Sequence, residues 1–254
     1  MDSTMQNHPL TVAEILRYAV GVHADRTVST ATGDGFRHAT YSEIGQQAAR
    51  LANALRRLGI DSDQRVATFM WNNQEHLVAY VAVPSMGAVL HTLNIRLFPE
   101  QIEFVAYEAA DQVVIADMSL APILAPVLPK METVHTVIVV GSGDLGPFEA
   151  SGKRVLRYDE IIAAESDEFY WPEIGENTAA AMCYTSGTTG NPKGVVYSHR
   201  SSYLHSMAVC GGNGMGLSFS DKAFPIVPMF HANAWGLPYA ALMAGADIVL
   251  PDRF

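Results

Sequence analysis

The apolar positions of the first sixty residues fall into two helical patterns separated by an alternating one. Val12, Ile15, Leu16, Ala19 and Val20 recur at the spacing of one helix face, behind the capping-box string Thr11-Val-Ala-Glu14. Positions 28–32 and 36–40 flank Gly33, Asp34 and Gly35, which is the pattern of a β-hairpin. A second capping box, Thr40 to Glu43, opens a helix that runs through Leu51, Leu55 and Leu58 and stops at Gly59. From there short apolar runs alternate with helical stretches. Strands are predicted at 65–71, 88–92, 112–116 and 136–140, with helices at 74–86, 99–110 and 120–128. Such alternation implies βαβ units and a parallel sheet.

The segment 141–152, rich in Gly, Ser, Asp and Pro, reads as an exposed loop. A strand at 179–184 leads into a glycine- and threonine-rich stretch. A strand at 195–198 and a helix from His199 to about Val209 follow, and the cluster from Gly211 to Gly216 reads as a helix stop and mobile loop. Strand 223–228, helix 232–244 and strand 247–250 complete the pattern. No internal repeat or low-complexity segment is present. The expected fold class is α/β, with mostly parallel βαβ sheets flanked by helices.

Composition narrows the class. The 254 residues allow one large α/β domain or two smaller ones, and they need no disulfide or metal staple. Only 17% of residues are charged and 49% are apolar, which excludes intrinsic disorder. A net charge of −10 and a pI near 5.3 argue against a nucleic-acid partner, which would require a basic footprint. Cys183 and Cys210 stand far apart without CxxC spacing, which fits a reducing compartment and neither a disulfide framework nor a zinc site. The N-terminus lacks a secretory signal pattern. The most apolar stretch, 77–90, is broken by Pro84 and Ser85 and falls short of a transmembrane segment. A cytoplasmic location is expected.

The strongest chemical signal is the run 185–194, Thr-Ser-Gly-Thr-Thr-Gly-Asn-Pro-Lys-Gly. Gly187, Gly190 and Gly194 permit close backbone approach. The hydroxyls of Thr185, Ser186, Thr188 and Thr189 can donate to phosphate oxygens, and Lys193 adds a positive charge. This is not a Walker A loop, because its second glycine is not followed by Lys-Ser/Thr and it enters a strand rather than a helix. On composition alone a flexible hairpin is the competing reading.

Two other patterns lead elsewhere. The run 141–146, Gly-Ser-Gly-Asp-Leu-Gly, matches a dinucleotide fingerprint after a strand, but Pro147 and Gly152 stand where a helix should receive the pyrophosphate. His199 and His205, six residues apart on a predicted helix, point to different faces and do not form a metal pair.

Taken whole, the run from Tyr184 to Val195 resembles the phosphate-loop signature of the adenylate-forming (AMP-binding) superfamily. The block 227–238, Val-Pro-Met-Phe-His-Ala-Asn-Ala-Trp-Gly-Leu-Pro, is similar to the acyl-pocket motif of its long- and medium-chain fatty acyl-CoA synthetases. Smaller echoes at 82–94 and 196–200 fit the same branch, and the resemblance runs from about Leu10 to the end of the chain.

The resemblance implies an enzyme that joins a fatty carboxylate to the α-phosphate of ATP, releases pyrophosphate, and passes the acyl group to CoA. It implies phosphate binding by Thr185, Ser186, Gly187, Thr188, Thr189, Gly190 and Lys193. Thr185 would be the hydroxyl on the Mg²⁺ side. His231 and Ala232 would border the acyl-adenylate, and Trp235 would gate the fatty-acyl tunnel. Read without it, Trp235 is a core residue of an apolar helix and His231 a helix cap. No catalytic residue is assigned within this chain.

By the same resemblance the chain is an incomplete AMP-binding domain, the N-terminal part of a synthetase roughly twice as long. Residues 61–210 would form one lobe, and 9–60 plus 217–254 would contribute to an adjacent one. The Tyr-Gly-x-Thr-Glu and Thr-Gly-Asp motifs, the C-terminal domain and most of the CoA site would lie outside it, leaving negligible activity. A homodimer is the expected assembly. The alternatives left open are a non-catalytic fragment that self-associates or binds nucleotide weakly, and a ligase for aryl or short-chain acids.

Overall fold

The computed structural model describes residue 1, residues 3–185 and residues 192–253. In chain order its elements are α1 (Val12–Val22), β1 (Thr27–Ala31), β2 (Phe36–Thr40), α2 (Tyr41–Arg57), β3 (Arg65–Phe69), α3 (Gln74–Ser85), β4 (Val89–Thr92), α4 (Pro99–Ala109), β5 (Asp111–Asp117) and α5 (Ala121–Leu124). They continue as β6 (Thr136–Val140), α6 (Gly146–Glu149), β7 (Arg154–Arg157), α7 (Tyr158–Ala163), β8 (Ala179–Thr185), β9 (Lys193–Ser198), α8 (His199–Cys210), β10 (Lys222–Ala223), α9 (Leu237–Ala244) and β11 (Asp247–Leu250).

Local chemistry sets the helix starts. The Thr11 hydroxyl accepts from the Glu14 N–H, and Thr40 and Glu43 close a reciprocal capping box on α2. Asn73 caps α3 by accepting from the His76 N–H at 3.0 Å. Gly59, at φ 87°, ends the turn after α2 as the sequence predicts.

Among the described residues the strands form two sheets. One has the order β7-β6-β5-β3-β4-β8-β9, parallel except for β9, which runs antiparallel to β8. The other has the order β10-β11-β1-β2, in which β10, β11 and β1 are parallel and β2 closes the hairpin. The larger sheet is buried on both faces. Val113, Ile115, Ile138 and Val140 point into a core shared with the smaller sheet and helices α1, α2, α3 and α9. Their neighbours Val114, Ala116, Val137 and Val139 point into a second core with α4 and α5. Helix α3 lies wholly inside, buried from Gln74 to Ser85. After β4 the chain crosses back over β3 to form β5, β6 and β7 on the other side. The strand order therefore reverses between β3 and β4, and crevices at the carboxyl ends of strands at such a reversal are where open α/β sheets hold ligands.

Four sequence expectations are corrected. The helix at 120–128 is reduced to α5 between two short 3₁₀ turns, because Pro122, Pro126 and Pro129 interrupt the donor ladder. The loop at 141–152 contains one helical turn, α6, whose first N–H groups include that of Gly146, bonded to the Asp144 carboxylate at 3.0 Å. Strand 223–228 shrinks to β10. Pro225 and Pro228 lack donors, and Asn72 takes the carbonyls of Pro225 (2.8 Å) and Val227 (3.0 Å) and the N–H of Met229 (2.7 Å). The helix at 232–244 begins only at Leu237, with Pro238 in its first turn, and the five residues before it turn the opposite way. The short β7 and α7 were not anticipated.

Candidate functional site

Strands β8 and β9 form a hairpin at the edge of the large sheet, with Thr185 opposite Lys193 and Tyr184 opposite Gly194. The segment between those rungs carries the predicted phosphate loop, and it leaves the carboxyl end of β8, a strand parallel to β4. Thr185 and Lys193 are both exposed there. Ser186, Gly187, Thr188, Thr189 and Gly190 lie outside the described residues. Gly194 has a steric role: a Cβ on it would stand 3.2 Å from the Tyr184 ring, which covers it across the ladder. Tyr184 also packs on His91 at 5.2 Å between ring centroids, and burial raises its hydroxyl pKa, so it acts as a neutral wall.

The predicted acyl segment docks on the same strand ends. Cys183, two residues before Thr185, lies beside the Ala232 backbone and 3.8 Å from the Tyr197 hydroxyl, and burial raises its thiol pKa. The Thr92 hydroxyl at the end of β4 donates to Asn233 Oδ1 at 3.1 Å, a contact that spans 141 residues of sequence. Phe230 is buried under the sheet with the Arg96 guanidinium 5.9 Å from its ring centre. Tyr80 donates to the Met229 carbonyl, and Tyr239 donates to that of Tyr80 at 2.8 Å.

Residues 232–236 form a left-handed turn: φ is 44°, 50°, 49° and 56° at Ala232, Asn233, Ala234 and Trp235, then 69° at Gly236. Each L-residue in that region costs roughly 1–2 kcal/mol, so four in a row persist only when their surroundings hold them. The turn changes what the sequence implied for its side chains. Trp235 is not a core residue but 57% exposed, and His231 precedes the turn without a side-chain capping bond.

Trp235 lines a cavity of about 410 Å³ between the turn and α8, within the usual range for small-molecule pockets. Ala232 lines it too, with Tyr197, Ser202, His205 and Tyr239 among the other walls. His231, Thr185 and Lys193 are not part of its lining. Burial pushes the Tyr197 hydroxyl up to about 12, so it remains protonated at neutral pH. Tyr197, Ser202 and His205 were missed in the sequence. Their signal was a polar set, Ser201, Ser202 and His205, at one-turn spacing on a helix of otherwise mixed character.

A phosphate site suits the exposed Thr185 hydroxyl and the Lys193 ammonium. A Mg²⁺ ion that keeps waters and phosphate oxygens as ligands needs only one or two protein donors, which a single threonine hydroxyl can begin to supply. Among the described residues no cluster of His, Cys, Asp or Glu would hold a metal by itself. His199 is buried and His205 exposed, as their spacing implied.

The family model for AMP-binding enzymes matches residues 16–254, and the chain belongs to that family. A 3-methylmercaptopropionyl-CoA ligase of Ruegeria pomeroyi is 40% identical over 97% of this chain and 46% of its own length. A long-chain-fatty-acid–CoA ligase of Thermus thermophilus is 42% identical over 98% of this chain and 44% of its own. Among solved structures, a putative long-chain-fatty-acid CoA ligase of Rhodopseudomonas palustris superposes with a TM-score of 0.83 at 27% identity, over 97% of this chain and 58% of that one. The chain spans about half the length of the curated relatives it matches. No helix among the described residues is long and apolar enough to cross a membrane.

Proposed function

We propose that this chain is the N-terminal portion of an acid–CoA ligase that activates a fatty carboxylate with ATP and transfers it to CoA. The observation that carries this reading is the convergence of two segments on the carboxyl ends of β4 and β8. One is the exposed Thr185–Lys193 rung below the phosphate loop, and the other is the turn whose Trp235 lines a cavity. Residues 61–210 would form one lobe and 9–60 with 217–254 part of a second, a division that the two sheets favour.

The adenylation step needs no general base. A carboxylate is already a nucleophile; it attacks the α-phosphorus of ATP and pyrophosphate leaves with the bonding electrons. The thiolate of CoA then attacks the acyl carbon, and AMP departs. The protein's task is to position the reactants and to stabilise charge on the phosphates. Lys193 and the loop hydroxyls of Ser186, Thr188 and Thr189 would hold phosphate oxygens. Thr185 would hold Mg²⁺, which when bound neutralises phosphate charge. His231 and Ala232 would border the acyl-adenylate, and Trp235 would stand at the mouth of the acyl cavity.

A smaller acid is a second reading, favoured by the similarity to a 3-methylmercaptopropionyl-CoA ligase. The test is pyrophosphate release with ATP, CoA and a series from propionate to palmitate, with benzoate included. The whole protein is expected to prefer a medium or long chain, and the 254-residue chain alone to remain at background. Turnover confined to propionate-sized or aromatic acids would remove the fatty-acyl reading. Replacing Trp235 with Ala is expected to flatten the chain-length preference, and an unchanged preference would remove its gating role.

A further inference from the structure

The left-handed turn at 232–236 cannot hold itself. Its backbone conformation is intrinsically costly for all members but Gly236, so its geometry depends on outside contacts. From the sheet side, Thr92 binds the Asn233 side chain at 3.1 Å. From the helix side, His205 on α8 places Nε2 2.8 Å from the carbonyl oxygen of Trp235. The same imidazole lies so close to Gly236 that a Cβ there would fall 2.5 Å from its Cδ2. Both His205 and Trp235 line the cavity of about 410 Å³.

A carbonyl only accepts, so His205 must carry a hydrogen on Nε2. The bond fixes the Trp235 peptide, and with it the direction of the Trp235 Cα–Cβ bond over the cavity mouth. We propose that His205 is a positioning residue that latches this turn through the Trp235 carbonyl and so sets the indole for acyl-chain entry. The inference rests on the reading of the cavity as an acyl site. Gly236 belongs to the same device, because no side chain would leave room for the imidazole.

The test labels the three tryptophans with 5-fluorotryptophan and follows their ¹⁹F resonances in the 254-residue chain. Trp71 and Trp171 report whether the fold is intact. In His205→Phe, which keeps a ring but loses the donor, the Trp235 resonance is expected to move while the other two stay. In His205→Gln, which restores an N–H donor, it is expected to return towards its original position. Decanoate is expected to bind about fivefold more weakly to His205→Phe, the effect of one lost hydrogen bond, and to recover in His205→Gln.

A Trp235 resonance indifferent to His205→Phe in a folded chain overturns the latch, and so does a shift that leaves decanoate affinity unchanged. Should His205→Phe fail to fold, the tautomer of His205 in the unaltered protein decides by ¹⁵N NMR: a dominant Nδ1–H form overturns the proposal. The two readings fail separately. If decanoate leaves the Trp235 resonance unmoved in the unaltered chain, the acyl assignment of the cavity falls while the latch on the turn still registers in the spectrum.

Discussion

Lys193 stands across the ladder from Thr185, exposed at the start of β9. A charge-assisted contact to phosphate contributes about 1.5–3 kcal/mol, so Lys193→Ala is expected to weaken ATP binding by about tenfold or more in a calorimetric titration. An unchanged affinity would take Lys193 out of the phosphate site. Two buried histidines make a different prediction. His76 is pushed down to about 4 by burial, with one ring nitrogen on the Trp71 carbonyl and the other on Thr68, and burial likewise pushes His199 to about 4. Both stay neutral in the folded state and regain the ordinary value of 6.5 on unfolding. The unfolded chain therefore binds more protons between pH 6.5 and pH 4, and stability falls as pH falls through that window. The loss is roughly 2.5 kcal/mol per histidine at pH 4.5, read as a lower urea midpoint, and His199→Gln is expected to shrink it. At this scale the candidate loop stands out in the sequence because hydroxyls, glycines and a lysine are compressed into ten positions, and its role as a phosphate site remains a proposal. Thr92, Asn233 and His205 do not stand out, since each matters only through a partner far away in sequence.

Capped helices were the easiest elements to read. Thr11, Thr40 and Gly59 announce their ends locally, and the structure places helix boundaries beside all three. Gly245, which ends α9 at φ 68°, is a sterner case: a Cβ there would fall 2.5 Å from the His23 ring. Gly245→Ala combines left-handed strain with that clash and is expected to destabilise the fold by about 2–4 kcal/mol, measured by chemical denaturation. A cost of only about 1 kcal/mol would mean that His23 moves aside freely and the left-handed strain alone remains, and a cost near zero would overturn both contributions. The segments at 223–228 and 232–236 were misread because apolar content alone does not distinguish a strand or helix from a chain held by others. Asn72 supplies the bonds that a neighbouring strand would have given at Pro225 and Val227, and α8 and β4 hold the turn that follows.

For the whole molecule, the exposed Met215, Phe219, Phe224 and Ile226 crowd one stretch of chain and suit a surface that is covered in an assembly. We expect a homodimer. Sedimentation equilibrium should then return a mass near twice 27.5 kDa, and a single species at 27.5 kDa across the micromolar range would exclude it. Alternation of apolar runs and helical patterns determined the α/β class and the parallel strands without any structure, because burial on both faces of a parallel sheet requires such runs. The resemblance to the family rested instead on the contiguous runs 184–195 and 227–238, which need no tertiary structure to be recognised. Strand order, the antiparallel β9 and the meeting of residues 183, 232 and 233 were decided only by the tertiary structure. Those depend on which surfaces pack together, across sequence separations as large as the 141 residues between Thr92 and Asn233. A left-handed turn likewise has no signal of its own in composition, because it exists only where tertiary contacts outweigh the local preference for the opposite hand.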